Sequence, residues 1–125
     1  MERNNSICAE ATVGTISGYE IKGQKATSID EFAEVVQTLS EKIYSENGIY
    51  ISTVISPAVV SYNSEWGCPP SGEPVFRLTS DWNSQFQTED EFRANFLELV
   101  KRLKEHYGQA TVTVVFKAQE LCYLK

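Results

Sequence analysis

Ser28-Ile29-Asp30-Glu31-Phe32 is answered sixty residues later by Thr88-Glu89-Asp90-Glu91-Phe92, and a glycine (Gly48, Gly108) follows each hydroxyl residue by twenty positions. Each stretch reads as the start of a helix. The N-cap hydroxyl accepts from the third helical N–H, and the glutamate three residues on reaches back to the cap. Each glycine supplies the left-handed conformation that ends a helix, and a β-branched run follows. The chain therefore reads as two similar helix-then-strand halves.

The periodicities agree. Across residues 28–48, Ile29, Phe32, Val36, Leu39 and Ile43 recur at spacings of three and four and form one apolar stripe. Across 88–108 the stripe is Phe92, Phe96, Leu99, Val100 and Leu103. Ile7, Ala9, Ala11 and Val13 alternate with polar or small residues, as a half-buried strand does. The alternation breaks over residues 14–18 and resumes at Tyr19 and Ile21, which predicts a bulge or a short hairpin. A second strand is predicted over 49–62, with Pro57 marking a bulge or an edge because it has no N–H to donate. A third is predicted over 75–79. The last strand alternates from Val112 and then shifts phase to Leu121 and Tyr123, predicting a bulge near 117–120.

The order β-α-β-β-α-β predicts an α+β fold, a four-stranded antiparallel sheet with two helices on one face. It is ferredoxin-like or a variant with long terminal strands, the first and last strands being neighbours in the centre of the sheet. Long terminal strands and strand tyrosines (Tyr19, Tyr62, Tyr123) predict that part of the sheet serves association, as a homo-oligomer.

At 125 residues, 42% hydrophobic and 22% charged, the chain reads as a single globular domain over 1–125. Neither a secretory signal nor an apolar run long enough to span a membrane is legible, so a cytoplasmic protein is expected. The net charge of −6 argues against duplex nucleic acid, which is bound by lysine and arginine neutralising phosphates. It leaves open a small ligand or a basic protein partner. Cys8, Cys68 and Cys122 are odd in number and widely spaced, and His106 is the only histidine. Neither a disulfide framework nor a zinc site is indicated. Cys68, in a loop, is the one candidate for a reactive thiol, and the nearby Glu65 and Glu73 argue against its acting as a nucleophile.

No set of residues spells out a chemistry. His106 falls in the last turn of the second helix, where it meets the helix dipole, and Asp30, Glu31, Asp90 and Glu91 fall in first turns, where acids stabilise helices. No phosphate loop, dinucleotide fingerprint or zinc-protease motif occurs. The expectation is a protein that is not an enzyme and needs no cofactor or metal. The loops over 63–72 and 80–87 stand out instead. With their borders they hold Tyr62, Asn63, Trp66, Trp82, Asn83 and Phe86, and so both tryptophans, with Arg77 and Arg93 nearby. Such rings stack on a flat ligand while carboxamides read its edge, and arginine meets phosphate bidentately. The alternative is structural: Trp66 as a lid over the core, Trp82 as a plug where sheet meets helix.

In its length, its two capped helices between long strands, and the run Ser80-Asp81-Trp82-Asn83 leading into the second helix, the chain resembles the phage anti-Thoeris proteins of the first type. These sequester cyclic ADP-ribose signals. The resemblance implies a counter-defence homo-oligomer in the host cytoplasm that binds a small cyclic nucleotide without cleaving it. It also implies Trp82 as the stacking residue, Asn83 or Asn95 and Arg93 or Arg77 as polar partners, and Phe86, Tyr62 and Trp66 around the site. The other reading, motivated by the acidic helices, is a protein-binding inhibitor of the toxin-immunity or anti-CRISPR kind.

Overall fold

The computed structural model describes residues 2–16 and 27–124. The elements run β1 (Glu2–Gly14), α1 (Ile29–Asn47), β2 (Val54–Val60), a single 3-10 turn (Ser64–Trp66), β3 (Glu73–Asp81), α2 (Glu89–His106) and β4 (Val114–Tyr123). The four strands form one antiparallel sheet in the order β2-β3-β1-β4. With both helices on one face, this is the α+β, ferredoxin-like fold read from the sequence. One detail differs: β1 does neighbour β4, but the centre of the sheet is β1 and β3, and β4 is an edge.

The helix ends follow the caps. The Ser28 hydroxyl accepts from the Glu31 N–H at 3.1 Å, and Gly48 closes α1 in the left-handed region at φ 72°. At α2 the capping box is complete, with Thr88 and Glu91 each accepting from the other's backbone N–H. At α1 the box is only half made, because the Ser28 hydroxyl meets the Glu31 carboxylate instead.

Strand lengths depart from the sequence reading. β2 begins at Val54 rather than 49, because its partner β3 pairs only as far as Val54 opposite Thr79. Residues 49–53 are thereby left as an irregular segment beside α1. Pro57 sits on an edge strand, one of its two predicted settings. β3 takes in Ser80 and Asp81, which pair with Ala9 and Cys8. No bulge occurs near 117–120: β1 and β4 stay in one register from Glu2 opposite Tyr123 to Ala11 opposite Val114. The apolar phase shifts because the packing partner changes. Val114 and Phe116 pack towards the helices, whereas Leu121 and Tyr123 lie on the other face, at the rim. The break after Gly14, with Tyr19 and Ile21, extends into residues outside those described.

The core lies between sheet and helices. Ala9, Ala11, Val13, Phe76 and Leu78 from the sheet meet Phe32, Val36, Ile43, Phe92, Phe96, Leu99 and Leu103 from the helices. Phe32 stacks on Phe76 at 4.4 Å between ring centroids.

Among the described residues, no helix covers the opposite face of the sheet. On it Glu10 Oε2 accepts from Lys117 Nζ at 3.0 Å and from Arg77 at 3.2 Å. The Lys117 hydrogen bond holds the Glu10 carboxyl below its usual range. A carboxylate depressed in the folded state adds stability above its unfolded pKa and loses it as pH falls through the folded one. Glu10→Gln is therefore expected to cost under about 1 kcal/mol at pH 7, since both cations are half-exposed. The gap between wild type and variant in thermal melts should close as the pH is taken below about 4.5. A gap that does not narrow as the pH falls would contradict the assignment.

Candidate functional site

Two loops converge at the end of the sheet where β2 begins and β3 ends. The first, residues 49–53, leaves α1. Asn47 at the end of that helix donates to the Oδ1 of buried Asn95 on α2 at 2.9 Å, and Asn95 donates on to the Ile49 carbonyl at 3.4 Å. This latch ties the start of the segment to both helices, and Tyr50 projects from it, 58% exposed.

The second loop, residues 82–88, joins β3 to α2. The Trp82 N–H donates to the Ile7 carbonyl at 3.0 Å, its carbonyl accepts from the Ser6 hydroxyl, and its indole N–H donates to the Gln87 carbonyl at 2.9 Å. The ring packs against the core. Trp82 is thus the internal prop of the loop, in keeping with its structural alternative. Asn83 Oδ1 accepts from the Gln85 N–H at 2.9 Å, a local turn that suits asparagine, and from the Tyr123 hydroxyl at 3.2 Å. Phe86, 70% exposed, lies with its ring centroid 6.3 Å from that of Tyr50.

Between the loops lies a cleft of about 340 Å³, floored by Ser52, Val54, Thr79 and Ser80 and walled by Tyr50, Asp81, Asn83, Phe86, Gln87 and Leu121. It combines two exposed rings, one carboxylate and two carboxamides, the kind of lining that holds a flat, polar-edged ligand with a positive charge. Gln119 donates to Asp81 Oδ1 at 2.9 Å and fixes that carboxylate at the rim. A larger groove of about 480 Å³ runs behind Tyr50 and Ser52, against α1. Among the described residues, Glu41 is its only acidic lining residue. The smaller cleft gathers the more varied chemistry.

Of the residues singled out from the sequence, Asn83 and Phe86 line this cleft and Trp82 braces it. The others are dispersed. Arg77 lies on the open face with Glu10. Arg93 pairs with Glu89 at 3.2 Å and stacks on Phe116 at 4.7 Å. Asn95 is buried in the latch, the Tyr62 hydroxyl donates to Glu73 at 3.4 Å, and Trp66 stands 66% exposed on the β2–β3 connection. Tyr50, Asp81 and Gln87 line the cleft without having been singled out from the sequence. Tyr50 and Asp81 were masked by neighbours that read as strand or loop, and Gln87 by its place just before a helix cap. Cys68 sits between the Tyr62 N–H and the Pro69 carbonyl. Burial, reinforced by Asp81, raises the pKa of the Cys8 thiol. Among the described residues, no group of three His, Cys, Asp or Glu could hold a metal ion, and no helix is long and apolar enough to cross a membrane.

No curated protein matches the chain. Solved structures that share its fold include two of phage SAM lyase. A phage SAM lyase in complex with S-methyl-5'-thioadenosine is 18% identical, with a TM-score of 0.57 over 94% of this chain and 90% of that one. A phage SAM lyase in the apo state is 17% identical, with a TM-score of 0.56 over 98% and 95%. The family model described as SAM lyase matches residues 11–125. These findings overturn the resemblance to anti-Thoeris sponges, which rested on size, capped helices and one aromatic loop, features that a widely used fold lends to unrelated proteins. Sequestration of cyclic ADP-ribose without cleavage falls with it, as does the expectation of a protein that is not an enzyme, since a lyase is one; the inhibitor alternative is not favoured either. With all of the sequence from Ala11 to Lys125 matched, the chain belongs to the SAM lyase family.

Proposed function

We propose that this protein cleaves S-adenosylmethionine, releasing methylthioadenosine, and that the Tyr50–Asp81–Phe86 cleft binds the substrate. The observation that carries the reading is the family match across residues 11–125. The chemistry of the cleft supports it. The substrate joins a flat purine to a chain bearing a sulfonium, an ammonium and a carboxylate, so it is a net cation. Tyr50 and Phe86 offer faces to the base, Asp81 offers a negative charge to the cationic end, and the net charge of −6 favours the approach of a cation.

A lyase breaks its bond without water, and this substrate makes that feasible. Its own carboxylate attacks the carbon attached to sulfur. A C–O bond forms, closing a five-membered lactone, while the C–S bond breaks and its electron pair stays on sulfur as a neutral thioether. No proton needs to move. The sulfonium is already an activated leaving group, so the protein's tasks are to fold the substrate chain into an attacking geometry and to exclude water. The lack of a nucleophile-and-base set in the sequence therefore does not argue against catalysis of this reaction.

The uncovered sheet face, with Val54 and Val115 exposed, is where copies would pair as a homo-oligomer. The protein would act as one domain inside the host cell of a phage. Incubating purified protein with S-adenosylmethionine and resolving the products by chromatography tests the proposal. Methylthioadenosine is expected to accumulate over many turnovers. Recovery of unchanged substrate, free or released by heating, would sink the proposal.

A further inference from the structure

We infer that Gln87 selects a 6-amino purine in the cleft, making the site specific for adenosine over inosine or guanosine ligands. This rests on the proposed binding of the substrate's adenosine part there. Gln87 Nε2 donates to the Tyr50 carbonyl at 3.4 Å, which orients the side-chain amide. Exchanging its two ends would set oxygen against oxygen. The remaining acceptor, Oε1, is buried and has no hydrogen-bond partner among the described residues. A buried acceptor left without a donor is costly, so such groups are nearly always met.

The cleft that Gln87 lines is also walled by the Tyr50 and Phe86 rings. A purine lying against those rings presents its edge to the cleft wall. Adenine carries an exocyclic amine there, whose N–H groups are the kind of donor that the Gln87 oxygen lacks. Hypoxanthine and guanine carry a carbonyl at the same position, which would confront oxygen with oxygen. Sites built around a hydrogen bond discriminate strongly for this reason, because the wrong ligand leaves the protein group unpaired.

Calorimetric titration of wild type, Gln87→Met and Gln87→Leu with 5'-methylthioadenosine and 5'-methylthioinosine tests the assignment. Wild type is expected to prefer the adenosine compound at least tenfold. Gln87→Met and Gln87→Leu, which keep much of the volume but offer no acceptor, should each bring the two ligands to within about threefold, chiefly by weakening the adenosine compound. An unselective wild type, a preference that survives either substitution, or equal weakening of both ligands would overturn the inference. If Gln87→Met does not fold, a preference retained in Gln87→Leu overturns it as well. Cleavage of S-adenosylmethionine by the same wild-type preparation separates the two levels. Cleavage without base preference overturns the role of Gln87 alone, whereas absence of cleavage overturns the proposed function beneath it.

Discussion

Trp82→Ala is expected to destabilise the protein by about 3 kcal/mol, the low end of the range for truncating a packed aromatic ring, because this ring is half-buried rather than sealed. For a chain of 125 residues that corresponds to a fall in melting temperature of roughly 10 °C. Two losses combine. The ring no longer fills the space between the core and the β3–α2 loop, and the Gln87 carbonyl loses its indole donor. Trp82→Phe keeps most of the packing and should recover more than half of the stability. Thermal melts of both variants, with methylthioadenosine affinity measured on the folded fraction, check this. An unchanged melting temperature with abolished binding would mean that Trp82 stacks on ligand instead.

Asp81→Asn is the second large effect, and it should fall on catalysis. The variant keeps the shape of the side chain and an oxygen that can accept from Gln119, so the fold should be little changed. It removes the negative charge from the cleft wall. Hydrogen bonds and ion contacts to a charged group contribute about 1.5–3 kcal/mol, so kcat/KM for S-adenosylmethionine should drop on the order of 10- to 100-fold. Methylthioadenosine is neutral and should bind nearly as before. Equal weakening of substrate and product would remove Asp81 from the cationic end of the site.

The fold was legible because local signals and periodicity agreed. The Ser28 and Thr88 caps, the glycine after each helix and the two apolar stripes all demanded the same β-α-β-β-α-β order. Strand limits were not legible. Residues 49–53 are as β-branched and apolar as a strand, and only the end of the β2–β3 pairing, at Val54 opposite Thr79, shows that Tyr50 lies outside the sheet and beside the cleft. The phase shift in β4 was legible as a change, but its cause was not, since alternation cannot distinguish a bulge from a strand that exchanges one packing partner for another.

Site residues were legible only as unusual loop composition. Trp82 drew attention as a loop tryptophan, yet its indole is turned to the Gln87 carbonyl and its ring to the core. Arg77 and Arg93 read as anion ligands until Glu10 and Glu89 were found beside them. Asp81 looked like part of a turn and is the last residue of β3. The absence of a nucleophile-and-base set misled most, because that inference holds for substrates the protein must activate. In the proposed reaction the sulfonium arrives activated, so no nucleophile-and-base set is required of the sequence.

Running the reaction in water enriched in oxygen-18, and locating the label in the four-carbon product, tests water-free cleavage most directly. Closure by the substrate's carboxylate yields methylthioadenosine and a product whose γ-oxygen is unlabelled. Later opening of the lactone adds label only at the carboxyl group. Label on the γ-oxygen would mean that water attacked the carbon bearing sulfur, and absence of methylthioadenosine would mean that S-adenosylmethionine is not cleaved at this bond.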